Sequence, residues 1–324
     1  MITVAVTCGD INGIGPEIAI KAMAALDDDQ TKFIFCLPEN VYRTYRKTSL
    51  SDFQIFDEET TTESRKNQVL LFDRCEQKIG SSTFESGAAS FLSIKKCFEL
   101  VVSKKADAMV TAPISKTALN LARIDFPGHT EMLGEWTNTK EYLMLFYSNE
   151  FLSAPLTIHL PLLRVAGNIT KMKLKSALKV AASSLLNDFG IKDARIAVLG
   201  LNPHAGENGL IGEEELEIIT PVIEDFNTKN VEGPFVADAF FGQKLYKNYD
   251  LILGMYHDQV LIPFKMLNFE SGVNFTAGLP IIRTSPDHGT AFNIAGKNIA
   301  NPTSMIEAIK LAIMIAKNRI NNAG

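Results

Sequence analysis

His159, His204 and His257, three of the five histidines in this 324-residue chain, share one context. Each closes or closely follows a short apolar run that reads as a strand. In open α/β sheets ligands gather outside the carboxyl ends of the strands, so side chains placed there can converge. Three neutral imidazoles meeting at one point suit a divalent transition metal and leave coordination positions open for substrate oxygens. Their gaps of 45 and 53 residues give no local ligand spacing, so three separate loop-stabilising histidines are the competing reading.

Three further groups of polar residues stand among apolar segments. In Phe126-Pro127-Gly128-His129-Thr130-Glu131 a Pro-Gly turn precedes a short helix that Thr130 can cap, which leaves His129 without a structural task. Lys265, Asn274 and Arg283 offer cationic and amide donors to a carboxylate or phosphate. Asp287-His288-Gly289-Thr290-Ala291, continuing through Asn293 to Asn301-Pro302, gathers small and polar residues ahead of the last helix, in the manner of a nucleotide-binding loop. The glycines of Gly9-Asp10-Ile11-Asn12-Gly13-Ile14-Gly15 are a poorer cofactor candidate. Ile18 stands where a dinucleotide fingerprint needs its third glycine, and Pro16 removes an N–H from the helix start. That segment is either a turn letting backbone approach a ligand or a purely structural strand-to-helix turn.

The elements that must position these residues alternate. Strands are expected at 2–7, 32–37, 107–111, 142–147, 152–160, 194–201 and 251–256, with further β-like runs at 273–276 and 279–284. Helices are expected at 16–26, 87–103, 171–189, 213–226 and 303–319; residues 50–86 give mixed patterns. Such alternation implies an α/β fold with a mostly parallel sheet covered on both faces, and the chain length suits two such sheets. Apolar residues make up 46% and charged residues 21%, a globular composition that excludes disordered and collagen-like chains. The formal charge of −5 with scattered Lys and Arg argues against nucleic acid as a partner. No apolar run is long enough to span a membrane, and Cys8, Cys36, Cys75 and Cys97 read as reduced, mostly buried thiols of a cytoplasmic protein.

Seven segments together resemble the 4-hydroxythreonine-4-phosphate dehydrogenase family of pyridoxal phosphate synthesis. They are Gly-Asp-x-x-Gly-Ile-Gly-Pro-Glu at 9–17, Val-Thr-Ala-Pro-Ile-x-Lys at 110–116, Phe-Pro-Gly-His-Thr-Glu at 126–131, Thr-x-His-Leu-Pro-Leu at 157–162, Gly-Leu-Asn-Pro-His-Ala-Gly-Glu at 200–207, Met-Tyr-His-Asp-Gln at 255–259 and Ile-Arg-Thr-Ser-x-Asp-His-Gly-Thr-Ala at 282–291. The run from His288 to Pro302 also resembles the adenosine-binding loop of isocitrate and isopropylmalate dehydrogenases. The resemblance implies two α/β/α domains with a central cleft: residues 1–128 plus 285–324 with the cofactor loop, and 129–284 with the metal ligands and a dimer interface.

It further implies NAD(P)-dependent oxidation of 4-phosphohydroxy-L-threonine to 2-amino-3-oxo-4-(phosphonooxy)butanoate, which decarboxylates to 3-amino-2-oxopropyl phosphate. The implied metal ligands are His159, His204 and His257, holding Zn, Mg or Co, with one of them supplied by the other subunit of a homodimer. His129, Thr130, Lys265, Asn274 and Arg283 match substrate-binding positions, and His288, Gly289, Thr290, Ala291, Asn293 and Asn301 match cofactor positions. Lys116, Asp258 and water are candidate acceptors of the hydroxyl proton. Ser115 replaces the family's usual Asn, and Ile11-Asn12 replaces Pro-Ala in the first turn. Asn293 stands where related enzymes often carry an Asp that repels a 2′-phosphate, so NADP is admitted beside NAD. A paralogue acting on threonate or erythronate 4-phosphate, and a non-catalytic sensor of a phosphorylated metabolite, are the alternative readings.

Overall fold

The computed structural model describes residues 1–57, 66–126, 128–226 and 230–323. It divides into two compact units, Met1–Trp136 with Pro280–Gly324, and Thr137–Leu279. Where the sequence suggested borders after residues 128 and 284, the helix carrying His129 and the strand carrying Arg283 both lie in the terminal unit. The Trp136 ring anchors the first of these, packing on Phe98 at 5.1 Å and Phe91 at 5.7 Å between centroids.

The terminal unit begins with β1 (Ile2–Thr7), α1 (Gly15–Ala25), β2 (Thr31–Pro38), α2 (Glu39–Tyr45), β3 (Gln54–Ile55) and β4 (Gln68–Phe72). It continues through α3 (Phe84–Val102), β5 (Ala108–Val110), α4 (Lys116–Leu121) and α5 (His129–Trp136). Pro16 occupies the first turn of α1, where its missing N–H costs nothing. Helix α3 starts before residue 87 because Thr83 and Ser86 form a reciprocal capping box. Helix α5 starts at His129, so Thr130 lies within its first turn and is not its cap. Pro127, half of the expected Pro-Gly turn, lies outside the described residues.

The central unit contains β6 (Leu143–Tyr147), β7 (Leu152–Thr157), α6 (Lys171–Asn187), β8 (Ile196–Leu199), α7 (Thr220–Asp225) and β9 (Val231–Phe235). It ends with α8 (Ala237–Gly242), β10 (Leu251–Tyr256), α9 (His257–Asn268) and β11 (Val273–Ala277). The chain then returns to the terminal unit for β12 (Arg283–Pro286) and α10 (Thr303–Ala323). Strand order in the terminal unit is β3-β4-β2-β1-β5-β12, all parallel. In the central unit the order is β11-β6-β7-β10-β8-β9, with antiparallel pairing only at β11-β6 and β6-β7 among the described pairs. Strands β1 and β2 are almost wholly buried, as their continuous apolar runs require. The central core is aromatic: Phe146, Phe151, Phe240, Tyr246 and Phe264 pack around Leu199, Ile252 and Val260.

Several expected elements change at identifiable residues. The helix expected over 213–226 is a π-helical stretch, Glu215–Ile219, followed by α7, because Pro221 cannot donate to the helical ladder. Helix α9 was not expected at all; it carries Pro263 in its interior. Strand β9, also unexpected, contains Gly233-Pro234, a pair that reads as a turn and is tolerated because β9 pairs only with β8 at the sheet margin. The β-like run at 279–284 resolves into β12, four residues later.

Candidate active site

The first turn is built for packing. Asp10 is buried, and its carboxylate accepts from the Asn12 N–H at 2.9 Å and the Ser86 hydroxyl at 3.2 Å. Burial raises its pKa above the usual carboxylate range despite these donors. A Cβ on Gly13 would stand 2.7 Å from the Thr290 carbonyl oxygen, which accepts from the Ile14 N–H at 3.0 Å. The glycine is therefore needed so that this turn can clamp the 288–302 loop.

That loop is fastened at its far end as well. Lys21 Nζ donates to the carbonyls of Asn298 and Ala300, both at 3.1 Å, while the Ala300 N–H donates to Glu17 at 2.8 Å. Asn301 accepts from the Thr303 N–H and hydroxyl at 3.0 and 2.6 Å and so starts α10. Between these ties, Gly289 has nothing within 4 Å of where a Cβ would stand, Asn293 is exposed, and Ala291 is left-handed at φ 43°. A fixed loop with open backbone and exposed amides is a fitting seat for the adenosine part of a dinucleotide.

In the same unit, Arg283 on β12 is 3% exposed and its Nε donates to Thr111 Oγ1 at 2.9 Å. Burial pushes the guanidinium down to about 9, an environment that opposes its charge although Glu131 supports it. His129 Nε2 is buried with no hydrogen-bond partner. Burial, and then the charge of Arg283, hold this imidazole well below the usual histidine range. A buried cation beside an orphaned ring nitrogen is what a site lacking its anionic ligand looks like. Lys116 is exposed as the first residue of α4, a position that the helix dipole disfavours for a cation, so helix stability does not explain it.

The central unit holds the histidines. Strand β7 stops at Thr157, and His159 follows on a left-handed turn at φ 30°; His257 opens α9 directly after β10. The two rings lie 5.9 Å apart between centroids and line a cavity of about 180 Å³ with Thr157, Leu160, Tyr256 and Asp258. His257 Nδ1 donates to Asp258 Oδ1 at 2.6 Å, which leaves Nε2 with a free lone pair. Two imidazoles sharing a cavity, one with its tautomer fixed by a carboxylate, fit a divalent cation. His204 is not added to them: among the described residues no three His, Cys, Asp or Glu side chains gather into a metal-binding group. It lies in the Pro203–Gly209 loop, whose residues 204–208 are all left-handed. Lys265 is half-buried on α9 and Asn274 half-buried on β11.

Two supporting residues were not picked out from the sequence. Glu215, 2% exposed, accepts from the N–H groups of Leu201 and Asn202, both at 2.7 Å, and from Asn202 Nδ2 at 2.9 Å. Gln259 bridges Gly200 and Met255. The acidic run Glu213-Glu214-Glu215 and the terminal Gln of Met-Tyr-His-Asp-Gln were the visible traces. Replacing Glu215 by Ala removes a buried carboxylate that accepts from two part-buried N–H groups and one side-chain amide, so unfolding stability should fall by about 2–4 kcal/mol in chemical denaturation. A loss under 1 kcal/mol, about the worth of one ordinary hydrogen bond, would show that water replaces the carboxylate.

Residues 28–312 match the family described as pyridoxal phosphate biosynthetic protein PdxA. The 4-hydroxythreonine-4-phosphate dehydrogenase of Sulfurihydrogenibium sp. is 39% identical over 323 residues, covering 98% of this chain and 100% of that protein. The D-threonate 4-phosphate dehydrogenase of Salmonella typhimurium is 37% identical over 97% of this chain and 99% of its own. A crystal structure of 4-hydroxythreonine-4-phosphate dehydrogenase from Klebsiella pneumoniae superposes with a TM-score of 0.84 at 36% identity, covering 97% and 98% of the two chains. At the level of fold alone, isocitrate dehydrogenase from Methylococcus capsulatus gives a TM-score of 0.51 at 13% identity, over 100% of this chain and 89% of that one. Full-length similarity to these dehydrogenases, on an isocitrate dehydrogenase-like α/β fold, places the chain in the PdxA family.

Proposed function

We propose that this chain is a cytoplasmic NAD(P)- and metal-dependent dehydrogenase. It oxidises the secondary hydroxyl of 4-phosphohydroxy-L-threonine to a β-keto acid that loses carbon dioxide, yielding 3-amino-2-oxopropyl phosphate. The observation that carries this reading is the full-length similarity to 4-hydroxythreonine-4-phosphate dehydrogenases. The arrangement of charged and imidazole side chains suits the chemistry.

When bound, a divalent cation (Zn, Mg or Co) supplies Lewis acidity toward the hydroxyl oxygen, and the nicotinamide supplies the hydride acceptor. His159 and His257 would hold that cation, and Asp258 keeps the His257 ring in the tautomer that can bind it. With Asp258 already committed to His257, Lys116 is assigned to take the hydroxyl proton. Arg283, His129 and Thr130 bind the anionic end of the substrate, with Lys265 and Asn274 as further donors. His288 to Ala291, Asn293 and Asn301 receive the cofactor.

His204 is assigned to the metal site of a second copy, so the working unit is a homodimer with shared sites. Large exposed apolar residues on the central unit support association: Leu163 is 97% exposed, Leu210 84%, Met266 80% and Phe269 76%.

The second reading, a threonate 4-phosphate dehydrogenase, is favoured by the Salmonella typhimurium relative. Formation of reduced cofactor should be followed with both substrates, each with NAD and with NADP, before and after chelation and zinc re-addition. The expected result is chelator-sensitive turnover with preference for the amino substrate. Asn293 predicts that NADP supports turnover within about tenfold of NAD, since an amide repels no 2′-phosphate. Preference for the sugar acid moves the chain to the second reading, and metal-independent turnover overturns the metal assignment.

A further inference from the structure

The three histidines of the central unit follow three strands, β7, β10 and β8, that are neighbours in one sheet. Adjacent strands are joined by main-chain bonds along their length, yet the loops beyond their ends need separate ties to hold a shared register. Two side chains supply such ties. Thr157, the last residue of β7, donates from Oγ1 to the Met255 carbonyl at 2.7 Å. Gln259 accepts at Oε1 from the Met255 N–H at 2.6 Å and donates from Nε2 to the Gly200 carbonyl at 2.7 Å. Both polar groups of Met255 are thus engaged, one toward β7 and one, through Gln259, toward β8. His159 lies two residues after Thr157, His257 two after Met255, and His204 four after Gly200.

Local structure makes room for this bridge. Gln259 stands in the first turn of α9, where its own backbone N–H has no strand partner and its side chain can reach back over the helix start. A Cβ at residue 254 would come within 3.0 Å of Gln259 Oε1 and 2.5 Å of Val260 Cγ1, so Gly254 lets the amide fold against β10. A glutamine is the side chain that serves both ends, since one end must accept and the other donate. Ordinary helix capping needs only the acceptor. The donated bond to Gly200, 59 residues away, is unexplained by the helix.

We infer that Gln259 is a positioning residue for the metal sites: it sets the His204 loop, assigned to the second copy's site, against the start of α9, which carries this copy's own His257, and with Thr157 it fixes all three histidine-bearing strand ends in one register. This rests on the metal assignment made above. Gln259→Glu keeps the acceptor toward Met255 and removes the donor toward Gly200. Partners beyond the direct ligands typically contribute 10- to 100-fold in metal affinity, so that variant should bind Zn²⁺ about 10- to 100-fold more weakly by chromophoric-chelator competition. The Co²⁺-substituted protein should show an altered visible spectrum. In the metal-free protein, hydrogen exchange should rise in peptides spanning residues 200–212 and stay unchanged in α10 of the terminal unit.

His257→Ala is measured alongside. If it loses Zn²⁺ binding while Gln259→Glu keeps wild-type affinity, spectrum and exchange, the positioning role is overturned and the metal assignment stands. If His257→Ala binds Zn²⁺ like wild type, the metal assignment itself fails and takes the inference with it. Should Gln259→Glu raise exchange throughout both units, its role is general stability and the inference is likewise overturned. Gln259→Met, which removes both bonds without adding charge, should reproduce the loss of affinity.

Discussion

His257→Ala and His204→Ala should each lower kcat/KM by about 10³-fold or more, yet a mixture of the two inactive proteins, unfolded and refolded together, should recover about a quarter of wild-type activity. The single losses follow from the several kcal/mol that a Lewis acid contributes to a developing negative charge. Recovery follows from the placement of the rings. His159 and His257 share a cavity within one chain, while His204 joins no such group among the described residues. If a twofold-symmetric dimer completes each site with His204 of the second copy, a mixed dimer has one site with every ring and one site lacking two. Random pairing makes half the dimers mixed, and each of those has one working site of two. The activity of the refolded mixture, against each variant refolded alone, checks this. No recovery would place all three ligands on one chain, with the His204 loop closing onto the other two histidines when metal binds.

How much of this was legible in the sequence depended on whether a residue's task was local. The strands β1, β2 and β10 were readable because burial on both faces demands near-continuous apolar runs. Helix α9 was not, because Pro263 argues against a helix locally, and packing of Val260, Leu261 and Phe264 into the aromatic core overrides it. The same holds for the site. Histidines at strand ends and the 288–302 loop stand out by residue type and by their place after apolar runs or before the last helix. Glu215 and Gln259 do not, since their partners are backbone groups whose proximity only the fold creates. The Gly13 turn shows the opposite case: its composition suggested a tight turn, and only the fold supplies the Thr290 contact that the missing side chain makes room for.

Arg283→Met should raise KM for the phosphorylated substrate by about 10²- to 10³-fold, the usual effect of deleting a buried charged partner, without lowering the melting temperature of the ligand-free protein. A guanidinium that is 3% exposed and pushed down to about 9 sits where its charge is opposed, so an apolar side chain of similar length relieves the folded state. The losses include the attraction for an anion and the bond from Nε to Thr111. His129 supplies a second readout. Its folded pKa lies below 6.5, so between that value and about 6.5 the unfolded chain binds a proton that the folded chain refuses. Stability from this ring is therefore complete above about pH 6.5 and declines as pH falls through the window. Because the charge of Arg283 deepens the depression, Arg283→Met should raise the His129 pKa and narrow the window. Melting curves at about pH 5 and about pH 8 should then show a smaller acid-induced drop for the variant than for wild type. An unchanged KM would make Arg283 a structural residue and move anion binding elsewhere. A large fall in melting temperature at both pH values would show that the folded protein depends on the charge it buries.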